Sequence, residues 1–185
     1  PPVAPKARPA RMPEPSHRLA IVTGTSSGIG AALARQLLER GWHVVGISRR
    51  PPRLAAPHYT HVALDLSDVT RLDAALGAKL DAIVRDPAVS RLGLVNNAAD
   101  VALLGTLDQV EPAGMLKAYA VNTVAPVQLI GWALRTARPG IPVRIVNVSS
   151  GAAVEAFPGL GGYGATKAAL RLAGMVLAAE LDGRE

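Results

Sequence analysis

Apolar residues come along this chain in short continuous runs, separated by longer stretches of helical spacing. Residues 19–22, Leu-Ala-Ile-Val, form the first run, which suits a strand buried on both faces of a parallel sheet. Ala31, Leu33, Ala34, Leu37 and Leu38 then recur at the period of a helix, and Gly41 stops it. Further strands are predicted over residues 43–49, 60–66, 92–99 and 143–150. A helix over 69–84 puts Leu72, Leu76, Leu80 and Ile83 on one face. A long helix begins near Pro112, a residue suited to a first helical turn. It carries Met115, Leu116, Tyr119, Val124, Leu129, Ile130 and Trp132, consistent with burial against the sheet or a partner subunit. Pro126 lies inside it. Proline removes a helix hydrogen bond, and its ring presses on the carbonyl four residues earlier, that of Asn122. A kink is predicted there, with the Asn122 carbonyl freed to bind water. The alternation of strand and helix predicts an α/β fold with three layers and right-handed crossovers.

The chain has 185 residues, one domain by length and long enough to bury a substantial core. Residues 1–17 stand apart, being rich in Pro and Arg and poor in large apolar side chains. They are expected to form a disordered or loosely attached tail, in which Met12 is a candidate natural start. Residues 18–185 are then the folded domain. The net charge is +6, of which residues 1–18 supply +3 through Lys6, Arg8, Arg11 and Arg18 against Glu14. No basic stripe with interleaved aromatics follows, and aromatics are only 3%, so no nucleic-acid partner is expected. The chain has no Cys, which excludes disulfides, thiolate metal sites and cysteine nucleophiles. No metal site is expected. No apolar run is long enough to span a bilayer, and no signal-peptide pattern is present. The expectation is a cytoplasmic protein without membrane attachment.

Residues 23–30, Thr-Gly-Thr-Ser-Ser-Gly-Ile-Gly, join the first strand to its helix. Gly24 supplies the sharp turn, and Ser26 or Ser27 is the expected N-cap. Gly28 lets a ligand approach the backbone, and Gly30 lets the helix lie tight on the strand. A helix N-terminus with free N–H groups is an anion site, and a pyrophosphate is its natural occupant. Roughly 20 residues beyond such a turn, an acid reads the ribose of NAD, or a cation the phosphate of NADP. Ser48, Arg49 and Arg50 stand at that point with no carboxylate, which favours NADPH over NADH. Arg49 is the better placed of the two arginines; Arg50 reads equally well as a solvated surface residue. Asp65, near the end of the third strand, accepts a hydrogen bond from an adenine amine or, with Ser67 or Asp68, caps the next helix. Asn96 and Asn97 close the fourth strand, where open α/β sheets bind ligands, although asparagines there also simply form turns. Tyr163 and Lys167 are four apart and share a face if they lie on a helix. The ammonium then favours the phenolate, which lets the tyrosine exchange protons near neutral pH.

Taken together, TGTSSGIG at 23–30, NNA at 96–98, Asn122, the serine pair at 149–150 and YGATK at 163–167 resemble the short-chain dehydrogenase/reductase family. Order and approximate spacing match over residues 19 to about 182. The resemblance implies a Rossmann-like, doubly wound parallel sheet in the order 3-2-1-4-5. It implies a catalytic tetrad of Asn122, Ser150, Tyr163 and Lys167, in which Ser150 rather than Ser149 has the matching spacing to Tyr163. Ser150 would bind the substrate carbonyl oxygen, Tyr163 would exchange the proton, Lys167 would tune Tyr163 and hold the nicotinamide ribose, and Asn122 would order a water. The cofactor-binding positions it implies are Gly24, Ser26, Ser27, Gly28, Ile29, Gly30, Ser48, Arg49, Asp65, Leu66, Asn97, Ala98, Tyr163 and Lys167. It also implies a homodimer or homotetramer built on the Asn122 and Tyr163 helices. Within the family the layout is similar to sepiapterin-reductase-like and benzil-reductase-like members.

Two departures qualify the match. Ala99 stands where the family carries a glycine, which narrows the cofactor groove locally. The chain also stops at Glu185, where family members continue with a strand, a substrate-covering loop and helix, and a last strand. The domain is therefore expected to be C-terminally incomplete, with the fifth strand left as an apolar edge. The leading functional expectation is an NADPH-dependent reductase acting on a small carbonyl compound or the corresponding alcohol. The alternative is a non-catalytic dinucleotide sensor or interaction module on the same fold. A third reading, a nucleic-acid binder driven by the basic tail, predicts salt-dependent DNA affinity lost with residues 1–17.

Overall fold

The computed structural model describes residues 16–182. The expected tail therefore falls, for residues 1–15, outside the described residues, while His17 already belongs to the first strand. Five strands, β1 (His17–Thr23), β2 (Trp42–Ser48), β3 (Tyr59–Ala63), β4 (Val89–Asn96) and β5 (Val143–Asn147), form one parallel sheet in the order β3-β2-β1-β4-β5. This is the doubly wound order 3-2-1-4-5. The switch point lies at β1, whose neighbours on either side are β2 and β4, and a ligand crevice opens at such a point.

The helices are α1 (Gly28–Glu39), α2 (Leu72–Val84), α3 (Pro112–Tyr119), α4 (Ala125–Thr136) and α5 (Gly161–Leu181). Two apolar clusters cover the two faces of the sheet. The larger joins Leu19, Ile21, Leu92 and Leu94 of the central strands to Leu72, Leu76, Leu80 and Val84 of α2 and Leu129, Trp132 and Ala133 of α4. The smaller joins Ala20, Val22 and Val44 to Ala34 of α1. Alternate residues of β1 thus enter opposite clusters, which is why its sequence is apolar without interruption. Trp132 donates its indole N–H to Asp81 Oδ1 at 2.8 Å and locks α4 to α2. Among the described residues no helix is long and apolar enough to cross a membrane.

Pro112 is the first residue of α3, with Glu111 at the N-cap position. The helix interruption predicted from Pro126 takes a definite form: a π-helical turn, Ala120–Val124, joins α3 to α4. The wider turn accommodates the hydrogen bond that Pro126 cannot make. Asn122 sits in its middle, fully buried.

Most predicted strands run past the observed ladder at their C-terminal ends. The predictions ended at residues 49, 66, 99 and 150, whereas the strands end at Ser48, Ala63, Asn96 and Asn147. The predicted helix over 69–84 begins three residues later, at Leu72. Past β3 the cause is Leu66, an apolar residue that stays buried in the core without pairing.

Candidate active site

The turn after β1 is held by close backbone approaches. Gly24 has φ +77°, and a Cβ there would lie 2.8 Å from Asn97 Nδ2 and 2.9 Å from Ala98 Cα. Its N–H donates to Ile47 O at 2.8 Å. Gly30 packs so tightly on the turn that a Cβ would overlap the Gly24 carbonyl. Gly28 is different. It has φ +58° and faces open space, with no heavy atom within 4 Å of where a Cβ would stand. Ser27 occupies the N-cap position of α1 in extended conformation, but its side chain makes no cap bond. Ser27 is thus the N-cap residue, as expected, without a side-chain cap bond, and beside Gly28 the first N–H groups of the helix are available to an anion. Ile29 is exposed next to them.

Thr23 ties this turn to the end of β4. Its Oγ1 accepts from Asn97 N and Ala98 N, both at 2.9 Å, and Asn97 Nδ2 donates to Thr23 O at 2.9 Å. The side-chain amide of Asn97 therefore braces the turn. Asn96 donates to Asn147 Oδ1 at 2.9 Å and ties β4 to β5.

Beside the turn opens a cleft of about 440 Å³ lined by Ser26, Ser27, Arg35, Arg50, Arg53 and neighbours. Of the two arginines that follow Ser48, Arg50 lines it. Arg49 is exposed, and its charge contributes to lowering the Asp65 pKa. The larger cause there is Ser67, whose N–H and hydroxyl both donate to Asp65 Oδ1, at 3.0 and 2.8 Å. Asp65 thus closes a local turn with Ser67, and it does not cap α2, whose N-cap position is Arg71. Ser48 is also turned inward, its hydroxyl donating to Arg50 O at 2.7 Å beside His61. The Leu66 side chain belongs to the apolar core. Arg35 and Arg53 escaped the sequence reading because only folding brings them to Ser26 and Ser27.

The second half of the site is assembled around α5. Tyr163 is half-buried in its first turn, and Lys167 follows one turn later. Lys167 is 2% exposed, and its Nζ donates to Val148 O at 2.9 Å and lies 6.0 Å from the Tyr163 ring centre. Burial lowers its pKa from the usual lysine value. Gly164 lets α5 approach the loop after β5: a Cβ there would fall 2.5 Å from Ala152 O. That loop carries Ser150 at the N-cap of a short 3₁₀ turn, Gly151–Ala153, its Oγ accepting from Ala152 N at 3.3 Å. A hydroxyl that accepts here keeps its own O–H free to donate. Ser149 is exposed.

The Asn122 side chain joins three segments. Its Oδ1 accepts from Asp100 N at 2.7 Å, and its Nδ2 donates to Asp100 O at 2.9 Å and to Thr166 Oγ1 at 3.0 Å. Thr166 donates in turn to Tyr163 O at 2.7 Å, and Thr123 donates to Thr166 O at 3.0 Å. Asn122, Tyr163, Lys167 and the Ser150 loop are therefore one connected unit. Thr166 was not anticipated; its position inside YGATK was the available signal.

Similarity to known proteins identifies the family. The short chain dehydrogenase family matches residues 18–185. A benzil reductase ((S)-benzoin forming) of Bacillus cereus is 33% identical over 171 residues, covering 88% of this chain and 68% of that protein. A short-chain dehydrogenase/reductase structure from Burkholderia vietnamiensis superposes with a TM-score of 0.83 at 37% identity, over 88% of this chain and 76% of that one. A metagenomic short-chain oxidoreductase in complex with NADP gives 0.78 at 31% identity, over 90% and 76%. A 4-hydroxyisoleucine dehydrogenase complexed with NADH gives 0.78 at 27%, over 90% and 70%. The chain belongs to the short-chain dehydrogenase family. It spans between 55% and 74% of the length of the curated relatives it matches.

Proposed function

We propose that this chain is the cofactor-binding and catalytic portion of a cytoplasmic, NADPH-dependent oxidoreductase. It would reduce a carbonyl group of a small molecule to an alcohol, reversibly. The observation that carries the reading is Lys167, a lysine 2% exposed and one helical turn from a half-buried tyrosine, beside the Ser150 loop. A buried ammonium is costly, and structural lysines seldom occupy such positions.

The residues present fit a dinucleotide. The uncapped start of α1 and the open space at Gly28 suit the pyrophosphate. Arg35, Arg50 and Arg53 beside Ser26 and Ser27 suit a phosphate on the ribose. Bound there, NADPH would supply the hydride. Ser150 donates its free O–H to the substrate carbonyl oxygen and stabilises the charge that grows on it. Tyr163 gives its phenolic proton to that oxygen and recovers it in the reverse direction. Lys167 lowers the cost of the phenolate by its charge. Asn122, through Thr166, fixes the turn of α5 that carries Tyr163. Exposed Val127 of α4 and Leu172, Met175 and Val176 of α5 suit a second copy, giving a homodimer or homotetramer.

Tyr163→Phe tests the mechanism. Carbonyl reduction falls by about 10²–10⁴-fold while the NADPH dissociation constant, measured by calorimetry, stays the same. Unchanged turnover contradicts the mechanism. Binding without turnover in the unsubstituted protein favours a dinucleotide sensor instead.

A further inference from the structure

Thr25 stands within the turn assigned above to the pyrophosphate, and it is 0% exposed. A buried hydroxyl requires a partner. The partner comes from two strands away: the Tyr59 hydroxyl lies 3.1 Å from Thr25 Oγ1. Tyr59 opens β3 and pairs with Val44 of β2, so its backbone lies two positions before Gly46 in the register. Its side chain passes over Gly46 to reach the turn. Only glycine permits this path, because a Cβ on Gly46 would overlap the Tyr59 hydroxyl and come 2.5 Å from Thr25 Oγ1. Burial raises the Tyr59 pKa, so the phenol keeps its proton for the hydrogen bond. The turn is thus anchored to β2 by the backbone bond from Gly24 to Ile47 and to β3 by Tyr59.

We propose that Tyr59 is a positioning residue for cofactor binding. Reaching over Gly46, its hydroxyl holds Thr25 so that the N–H groups of the turn keep the placement a pyrophosphate requires. The inference rests on the reading of this turn as the dinucleotide site. It concerns affinity, because Tyr59 is on β3, at the opposite edge of the sheet from β5, and is not in the Asn122 network.

Tyr59→Phe removes one oxygen and leaves the ring. Calorimetric titration with NADPH is expected to show a dissociation constant raised by about tenfold. The Michaelis constant for NADPH rises in parallel, with kcat at saturating cofactor unchanged. Thr25→Val gives a similar rise, and the double variant binds no worse than the weaker single variant, since all delete one hydrogen bond. An unchanged dissociation constant in Tyr59→Phe overturns the inference even if the melting temperature falls, because a merely structural hydroxyl affects stability alone. Fully additive effects of the two substitutions overturn it as well. If the unsubstituted chain binds NADPH and the variants bind equally, only this inference falls. If the unsubstituted chain binds none, the reading of the turn falls and takes the inference with it.

Discussion

The two sides of the crevice differ in how completely they are enclosed. On the β1 side, Gly24 and Gly30 bring backbone against backbone, and Thr23, Asn97 and Ala98 interlock by three hydrogen bonds of 2.9 Å. On the β5 side, Val146 is 45% exposed, and Val154 and Phe157 of the following loop are exposed too. β5 is the edge of the sheet. Its residues alternate between half-buried and exposed because only the α2–α4 face is packed there. The β1 side is therefore tightly packed, whereas the β5 side presents apolar surface. Close packing on one side and exposure on the other make opposite predictions for substitution.

The largest effect is expected at Gly30→Ala. Alanine gains about 1 kcal/mol in helix propensity, but its methyl would overlap the Gly24 carbonyl. Overpacking against backbone costs about 1–3 kcal/mol, and more where nothing can yield. A net loss of about 2 kcal/mol is expected from chemical denaturation, together with loss of NADPH binding. Asn122→Ala comes next, or close to it. It removes a partner from the buried Thr166 hydroxyl and leaves the part-buried N–H and C=O of Asp100 without theirs, at a cost of about 1–3 kcal/mol. Its particular signature is a loosened first turn of α5, seen as faster amide hydrogen exchange around Tyr163. The smallest effect is expected at Val146→Thr, which keeps the shape at an exposed site and should change stability by less than about 0.5 kcal/mol. A larger loss there would show that the β5 face is covered in solution, and the contrast between the two sides would fail.

Much of this was legible in the sequence, and the rest was hidden for physical reasons. The continuous apolar runs identified all five strands, because strands buried on both faces need no polar alternation. The end of β3 was misplaced because apolarity reports burial, and Leu66 is buried beyond the last ladder bond of that strand. Pro126 revealed the disturbed helix at Asn122, since proline acts on its own local backbone, although the π turn that results depends on packing. The glycine turn and YGATK were legible as motifs. The partners that hold them were not: Thr23 with Asn97, Thr25 with Tyr59, and Gly164 with Ala152 are contacts between segments far apart in the chain. The same holds for Arg50, which lines the cleft beside Ser26 and Ser27.

The central claim is that the enclosed side of the crevice holds NADPH. Calorimetric titration of the 185-residue chain with NADPH, and in parallel with NADH, addresses it most directly. The account predicts that NADPH binds at least about tenfold more tightly, the difference arising from charge-assisted contacts of the arginine cleft. Equal or tighter binding of NADH, or binding of neither by a folded sample, would contradict it.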